Sequence, residues 1–116
     1  MATITSHVLN AVDGSHAAGV RVDCTAIHAD GARAAVFSVE SGADGRIAGD
    51  VPAELARPST VLELEFHTGA YFDAHGPGAS ANQPAVTFRI TLAEGQERFH
   101  IPVIASPHGF SVWWSS

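Results

Sequence analysis

Alternation between apolar and polar residues is the dominant pattern along this chain. In Val20–Ile27, the apolar Val20, Val22, Cys24 and Ala26 alternate with polar residues, as a strand with one buried and one solvated face requires. The same two-residue period predicts strands at Leu62–Phe66, Val86–Leu92 and Phe99–Val103, and less regular ones at Ile4–Leu9, Ala34–Glu40 and Phe110–Trp114. About seven short strands separated by glycine-containing turns are typical of an antiparallel sandwich or barrel.

One segment departs from this pattern. Gly69–His75 shows no alternation, consists mostly of residues compatible with a helix, and is followed by Gly76 and Pro77. These features predict a single short helix. The length of 116 residues is close to the most common domain size, so we expect one all-β domain over residues 1–116.

Composition and charge exclude several classes of protein. Apolar residues make up 46% of the chain and charged residues 16%, which is enough apolar material for a packed core. The net charge is -6, and the six basic residues are all arginines spread along the chain, whereas a nucleic-acid-binding domain needs a clustered basic surface. No segment has the roughly 20 consecutive apolar residues of a membrane span. We therefore expect neither a nucleic acid nor a membrane as a partner.

Cys24 is the single cysteine, so an intrachain disulfide is excluded. Because Cys24 falls in the apolar phase of a strand, a buried thiol is a better interpretation than a nucleophile. The N-terminal residues show no basic segment followed by an apolar run, so no secretory signal is predicted and the expected location is the cytoplasm.

Seven histidines point to proton transfer or metal binding. No two of them have the i, i+2 or i, i+4 spacing that would bring metal ligands together on a strand or helix, so no metal site is predicted. His7 and His100 each fall in the strand phase opposite to the apolar residues, and Arg46 follows an Asp-Gly turn. Periodicity alone leaves each of them as a solvated surface residue.

Four ordered motifs resemble those of the 5-hydroxyisourate hydrolases, which are transthyretin-related enzymes of urate breakdown. The first is Thr-Ser-His-Val-Leu-Asn at residues 5–10, followed by Ala-Ala-Gly-Val-Arg-Val at 17–22. The others are Ala-Asp-Gly-Arg at 43–46, Phe-His-Thr-Gly-Ala-Tyr-Phe at 66–72, and Phe-His-Ile-Pro-Val at 99–103. The resemblance therefore covers essentially the whole chain.

The resemblance implies a two-sheet antiparallel β-sandwich of about eight strands with one short helix. It also implies a homotetramer, a dimer of dimers, with active sites in clefts between the dimers. His7, Arg46 and His100 correspond to the residues that carry hydrolysis in the family. The implied reaction opens a purine-derived ring with water, without a metal or organic cofactor. One imidazole activates the water, the other orients it or protonates the leaving nitrogen, and the guanidinium stabilises the oxyanion.

The C-terminal tail departs from the family pattern. Family hydrolases end in Tyr-Arg-Gly-Ser, whereas this chain ends with Trp113 and Trp114 before two serines, so that only Ser116 matches. Because His108 lies in the segment that leads to the tail, we expect His108, Trp113, Trp114 and Ser116 to contact substrate.

The altered tail leaves three functions open. The first is 5-hydroxyisourate hydrolysis, and the second is an enzyme of the same scaffold acting on a more aromatic or apolar heterocycle. The third is a non-catalytic binder of small molecules.

Overall fold

The computed structural model describes residues 1–76 and 82–114. Within these ranges nine strands form two sheets, and there is one helix. The elements are β1 (Ala2–Asn10), β2 (Arg21–Ile27), β3 (Arg33–Glu40), β4 (Arg46–Val51), β5 (Val61–Phe66), α1 (Thr68–His75), β6 (Val86–Ile90), β7 (Arg98–His100), β8 (Val103–Ser106) and β9 (Gly109–Val112). The first sheet has the order β4-β1-β8-β9, with β7 also paired to β1, and the second has the order β3-β2-β5-β6. The predicted two-sheet sandwich with one short helix is confirmed.

The first sheet is mixed rather than wholly antiparallel. Strand β1 pairs antiparallel with β4 along one edge, and parallel with β7 and then β8 along the other. Thr3–Thr5 lie against β7 and Val8–Asn10 lie against β8. The parallel pairs join segments that are far apart in sequence, so no local turn signal could have revealed them.

The single strand predicted over Phe99–Val103 is wrong. The segment forms β7 and the start of β8, with Ile101 and Pro102 between them. Pro102 has no N–H to donate to a neighbouring strand, so the ladder is interrupted there. Ile101 still donates its N–H to the carbonyl of Thr5 and is fully buried. Both short strands therefore remain attached to β1.

Both sheets contribute their inner faces to one apolar core. Ile4 and Val8 of β1 pack in the same cluster as Leu62, Leu64 and Phe66 of β5, and all five are essentially inaccessible to solvent. The helix adds Tyr71 and Phe72, which are also buried. Because inner and outer residues alternate along β1, this inward packing fixes which side chains the strand presents on its outer face.

Cys24 lies in this core, as predicted. Burial raises the pKa of its thiol to about 12, so the thiolate is absent at neutral pH. No helix in the described part of the chain is long and apolar enough to cross a membrane.

Candidate active site

The outer face of the first sheet brings His7, Arg46 and His100 together. In the register of β1 and β4, His7 lies opposite Arg46, and in the register of β1 and β7, Thr5 lies opposite His100. His7 and Thr5 share the outer face of β1 and are two residues, or about 7 Å, apart along the strand. The side chains of all three predicted residues therefore leave the same face of one sheet.

A cleft of about 420 Å³ opens over this face. Its walls include Thr5, Asp44, Arg46, Ala48 and His100. The structure thus brings Arg46 and His100 into one cleft. His7 lies opposite Arg46 on β1 but is not among the residues that line the cleft.

Thr5 holds the ring of His100. The hydroxyl oxygen of Thr5 is 2.8 Å from Nδ1 of His100, in a hydrogen bond between neighbouring strands. Nε2 is the ring nitrogen that this bond leaves unused. A ring held at Nδ1 presents a defined orientation and one available nitrogen, which is the arrangement that acid–base catalysis needs.

A tight turn delivers Arg46 to the start of β4. Asp44 Oδ1 accepts a hydrogen bond from the backbone N–H of Arg46 at 3.1 Å, and the carbonyl of Gly45 accepts one from the N–H of Val8 at 2.8 Å. Gly45 has a φ of +75°, and a Cβ at this position would lie 2.4 Å from the carbonyl oxygen of Val8. Only glycine fits here, because it accepts the positive φ and lets the turn contact β1 directly.

His7 lies in an environment that favours its neutral form. Its Nε2 is 2.8 Å from Nδ1 of His16, and the two rings stack with centroids 4.9 Å apart. Partial burial, the charge of Arg46 and the neighbouring His16 lower the pKa of His7, and these effects outweigh the opposing effect of Asp44. The ring is therefore available as a proton acceptor at neutral pH. No local pattern in the sequence singles out His16, because backbone pairing of its segment with β1 brings it to this face.

The four expected tail-side residues lie outside this cleft or outside the described residues. His108 is exposed in the turn between β8 and β9. Trp113 and Trp114 are 44% and 58% exposed, and the ring of Trp114 contacts Phe99 with centroids 6.1 Å apart. Ser116 lies outside the described residues. Within one chain, the structure does not bring His108 or the two tryptophans to Arg46 and His100.

Among the described residues, one group has ligand atoms close enough to hold a metal ion. It comprises Asp23 on β2, Glu65 on β5 and His67, which directly follows β5. Nε2 of His67 lies 2.9 Å from Asp23 and 3.3 Å from Glu65, while hydrogen bonds led by that from Ser38 lower the pKa of Asp23 to about 2. Nε2 of His67 is thus already engaged by a hydrogen bond to Asp23. The group lies on a different sheet from His7, Arg46 and His100.

The fold and the cleft together define a small β-sandwich protein with two imidazoles and a guanidinium on the outer face of one sheet. A match to the family described as "HIUase/Transthyretin family" extends over residues 4–114. The chain belongs to this family.

Similar proteins agree with this assignment over nearly the whole chain. The chain is 31% identical to 5-hydroxyisourate hydrolase 2 of Rhizobium meliloti, with 97% of this chain and 95% of the relative covered. It is 32% identical to the 5-hydroxyisourate hydrolase of Mesorhizobium japonicum, with 97% and 91% covered.

Two solved structures are also similar. The 5-hydroxyisourate hydrolase of Klebsiella pneumoniae superposes with a TM-score of 0.78 at 27% identity, with both chains covered completely. The transthyretin of sea bream, solved in complex with thyroxine, superposes with a TM-score of 0.81 at 22% identity, with 97% of this chain and 93% of that chain covered. The second likeness concerns the fold alone.

We predict that His7 titrates below its ordinary pKa of 6.5 and that Arg46→Gln raises this pKa, because the substitution removes a nearby positive charge. The measurement is an NMR titration of the His7 ring between pH 4 and pH 9, a range that spans the histidine titration. Arg33→Gln is the matched control, because Arg33 pairs with Glu63 on the other sheet. An unchanged or lowered His7 pKa in Arg46→Gln contradicts the prediction.

Proposed function

We propose that this protein is a 5-hydroxyisourate hydrolase in which His7, Arg46 and His100 carry the reaction. The observation that supports this most directly is the pairing of β1 with β4 and β7, which sets all three side chains on one sheet face beside a cleft. The relatives named 5-hydroxyisourate hydrolase, which match over nearly the full chain, support the same reaction.

The two imidazoles differ in a way that suits opposite proton transfers. His7 is the better candidate for the base, because partial burial and the adjacent Arg46 favour its neutral form. It accepts a proton from a water molecule as the water oxygen attacks a ring carbonyl carbon. His100, held at Nδ1 by Thr5, uses Nε2 to orient the water or to protonate the nitrogen released when the C–N bond breaks.

Arg46 provides the positive charge at the cleft. Its planar guanidinium offers several fixed donors, which match the oxygens of a urate-like anion better than a single ammonium would. Donors directed at a developing oxyanion contribute about 3 kcal/mol to the lowering of an activation barrier. In this assignment Arg46 binds the substrate and also stabilises the tetrahedral intermediate.

The decay of freshly generated 5-hydroxyisourate, followed by ultraviolet absorbance, tests the proposal. We expect clear acceleration at micromolar protein, and a loss of about 100-fold or more in kcat/KM for His7→Ala or His100→Ala, because each removes a proton-transfer group. Arg46→Lys keeps the charge but loses the planar donor set, so we expect a similar loss.

His28→Ala is the matched control for these variants, since His28 is an exposed histidine at the end of the β2–β3 hairpin. We expect it to keep wild-type activity. Decay at the buffer rate with the wild-type protein would overturn the proposed function. Full activity in His7→Ala and His100→Ala would overturn the assigned residues instead.

The two tryptophans favour a second candidate, namely an enzyme on the same scaffold that accepts a more aromatic heterocycle. Both rings remain substantially exposed in the single chain, although aromatic rings are normally buried in cores or interfaces. If they restrict the substrate, Trp113→Tyr combined with Trp114→Arg raises kcat/KM on 5-hydroxyisourate by about tenfold or more, since polar partners are restored. The individual substitutions are the controls. No gain in the double variant contradicts a role of the tail in substrate choice.

We also propose that the protein assembles as a homotetramer that covers these exposed rings. Phe110, Trp113 and Trp114 are 52%, 44% and 58% exposed and follow one another along the last strand and tail. Exposed aromatic rings of this kind are enriched at subunit interfaces. Native mass spectrometry should give four times the chain mass of 12.1 kDa, and Phe110→Asp should lower the assembled fraction. A mass equal to one chain at micromolar concentration contradicts the tetramer.

A further inference from the structure

His16 lies in the connection between β1 and β2, which the backbone holds firmly against β1. Immediately before it, the carbonyl of Ser15 accepts a hydrogen bond from the N–H of Asn10 at 2.9 Å. Immediately after it, the N–H of Ala17 donates to the carbonyl of Val8 at 2.9 Å. His16 itself forms an isolated antiparallel bridge with Leu9. The backbone of His16 is thus fixed on both sides.

This anchoring carries the imidazole of His16 to His7. The two rings are 22° from parallel with centroids 4.9 Å apart, and the Nε2 to Nδ1 distance of 2.8 Å is that of a good hydrogen bond. Stacking limits the tilt of the His7 ring, and the hydrogen bond limits its rotation. Each contact restricts a different motion.

We propose that His16 is a positioning residue for His7, which fixes the orientation of the His7 ring through the Nε2 to Nδ1 hydrogen bond. The bond forms when one of the two nitrogens carries a proton and the other does not, so either neutral tautomer of His7 can take part in it. In both cases the bond ties Nε2 of His7 to the anchored ring of His16. The inference rests on the proposed function only in that His7 is the reacting base.

An imidazole beside His7 differs from a carboxylate in its effect on the charge of the His7 ring. A carboxylate beside a histidine also orients the ring, but its negative charge favours the protonated form. His16 orients His7 without adding negative charge. The charged or titratable groups that act on His7 are Arg46 on β4, His16 in the β1–β2 connection and Asp44 in the turn before β4. Arg46 and His16 both favour the neutral ring, and Asp44 alone opposes them.

Two substitutions separate the hydrogen bond from the stacking. His16→Asn keeps a hydrogen-bonding group near the position of Nδ1 but loses the ring, whereas His16→Phe keeps a ring but loses the hydrogen bond. Ring ¹⁵N chemical shifts of His7, measured by NMR above its pKa, report the hydrogen bonding of each ring nitrogen. We expect the Nε2 shift of the wild type to be nearly kept in His16→Asn and to change in His16→Phe, because Nε2 then loses its partner.

Turnover of 5-hydroxyisourate gives an independent measurement. We expect kcat to fall about tenfold in His16→Phe, the effect of losing one hydrogen bond of ordinary strength, with KM nearly unchanged. His16→Asn should recover most of this loss. His28→Ala is the control for removing an exposed histidine elsewhere, and it should leave both kcat and the ¹⁵N shifts of the His7 ring as in the wild type.

Two results would overturn the proposal. One is an Nε2 chemical shift of His7 in His16→Phe that equals the wild-type shift, and the other is an equal loss of kcat in His16→Asn and His16→Phe. If the wild-type protein does not hydrolyse 5-hydroxyisourate, the proposed function fails, but the ¹⁵N measurement still decides whether His16 sets the His7 ring. The failure of one proposal is therefore distinguishable from the failure of the other.

Discussion

Strand β1 pairs along both of its edges, and this pairing organises both the core and the cleft. Its inner residues enter the core, so its outer residues must face away from it, and the register with β4 and β7 then brings Arg46 and His100 beside them. A shift of one residue in this register would turn His7 into the core and Val8 out to solvent. The energy of the apolar core therefore fixes the geometry of the polar cleft.

The two sheets present histidines in opposite electrostatic surroundings. On the second sheet, His67 lies between the carboxylates of Asp23 and Glu65, so negative charge surrounds the ring. On the first sheet, His7 lies beside Arg46 and His16, with a lowered pKa. The second arrangement favours the neutral form of the His7 ring. The histidine count alone could not separate these two environments.

Much of the fold was predictable, because the relevant signals are local. The strands around Cys24 and Leu64 follow a clear two-residue period, and the short helix is preceded by a strand and followed by a glycine. Strand β4 was not predicted, since Gly49 occupies an inward position where an apolar side chain is expected. Pro102 interrupts a run of alternating residues that predicted one continuous strand. The alternation of side chains does not show that the proline lacks the backbone N–H a strand would donate. The parallel pairing of β1 is likewise absent from any local pattern.

Sequence alternation was enough to predict which side chains point away from the core, because alternation along a strand depends only on neighbouring residues. By resemblance, it also singled out His7, Arg46 and His100. The tertiary structure decided that these three share one sheet face, that Thr5 holds His100, and that the exposed rings of Trp113 and Trp114 lie away from the cleft of their own chain. It alone brought His16 to His7. Hydrogen bonds between strands set these relations, and their partners lie too far apart in sequence for any local pattern to join them.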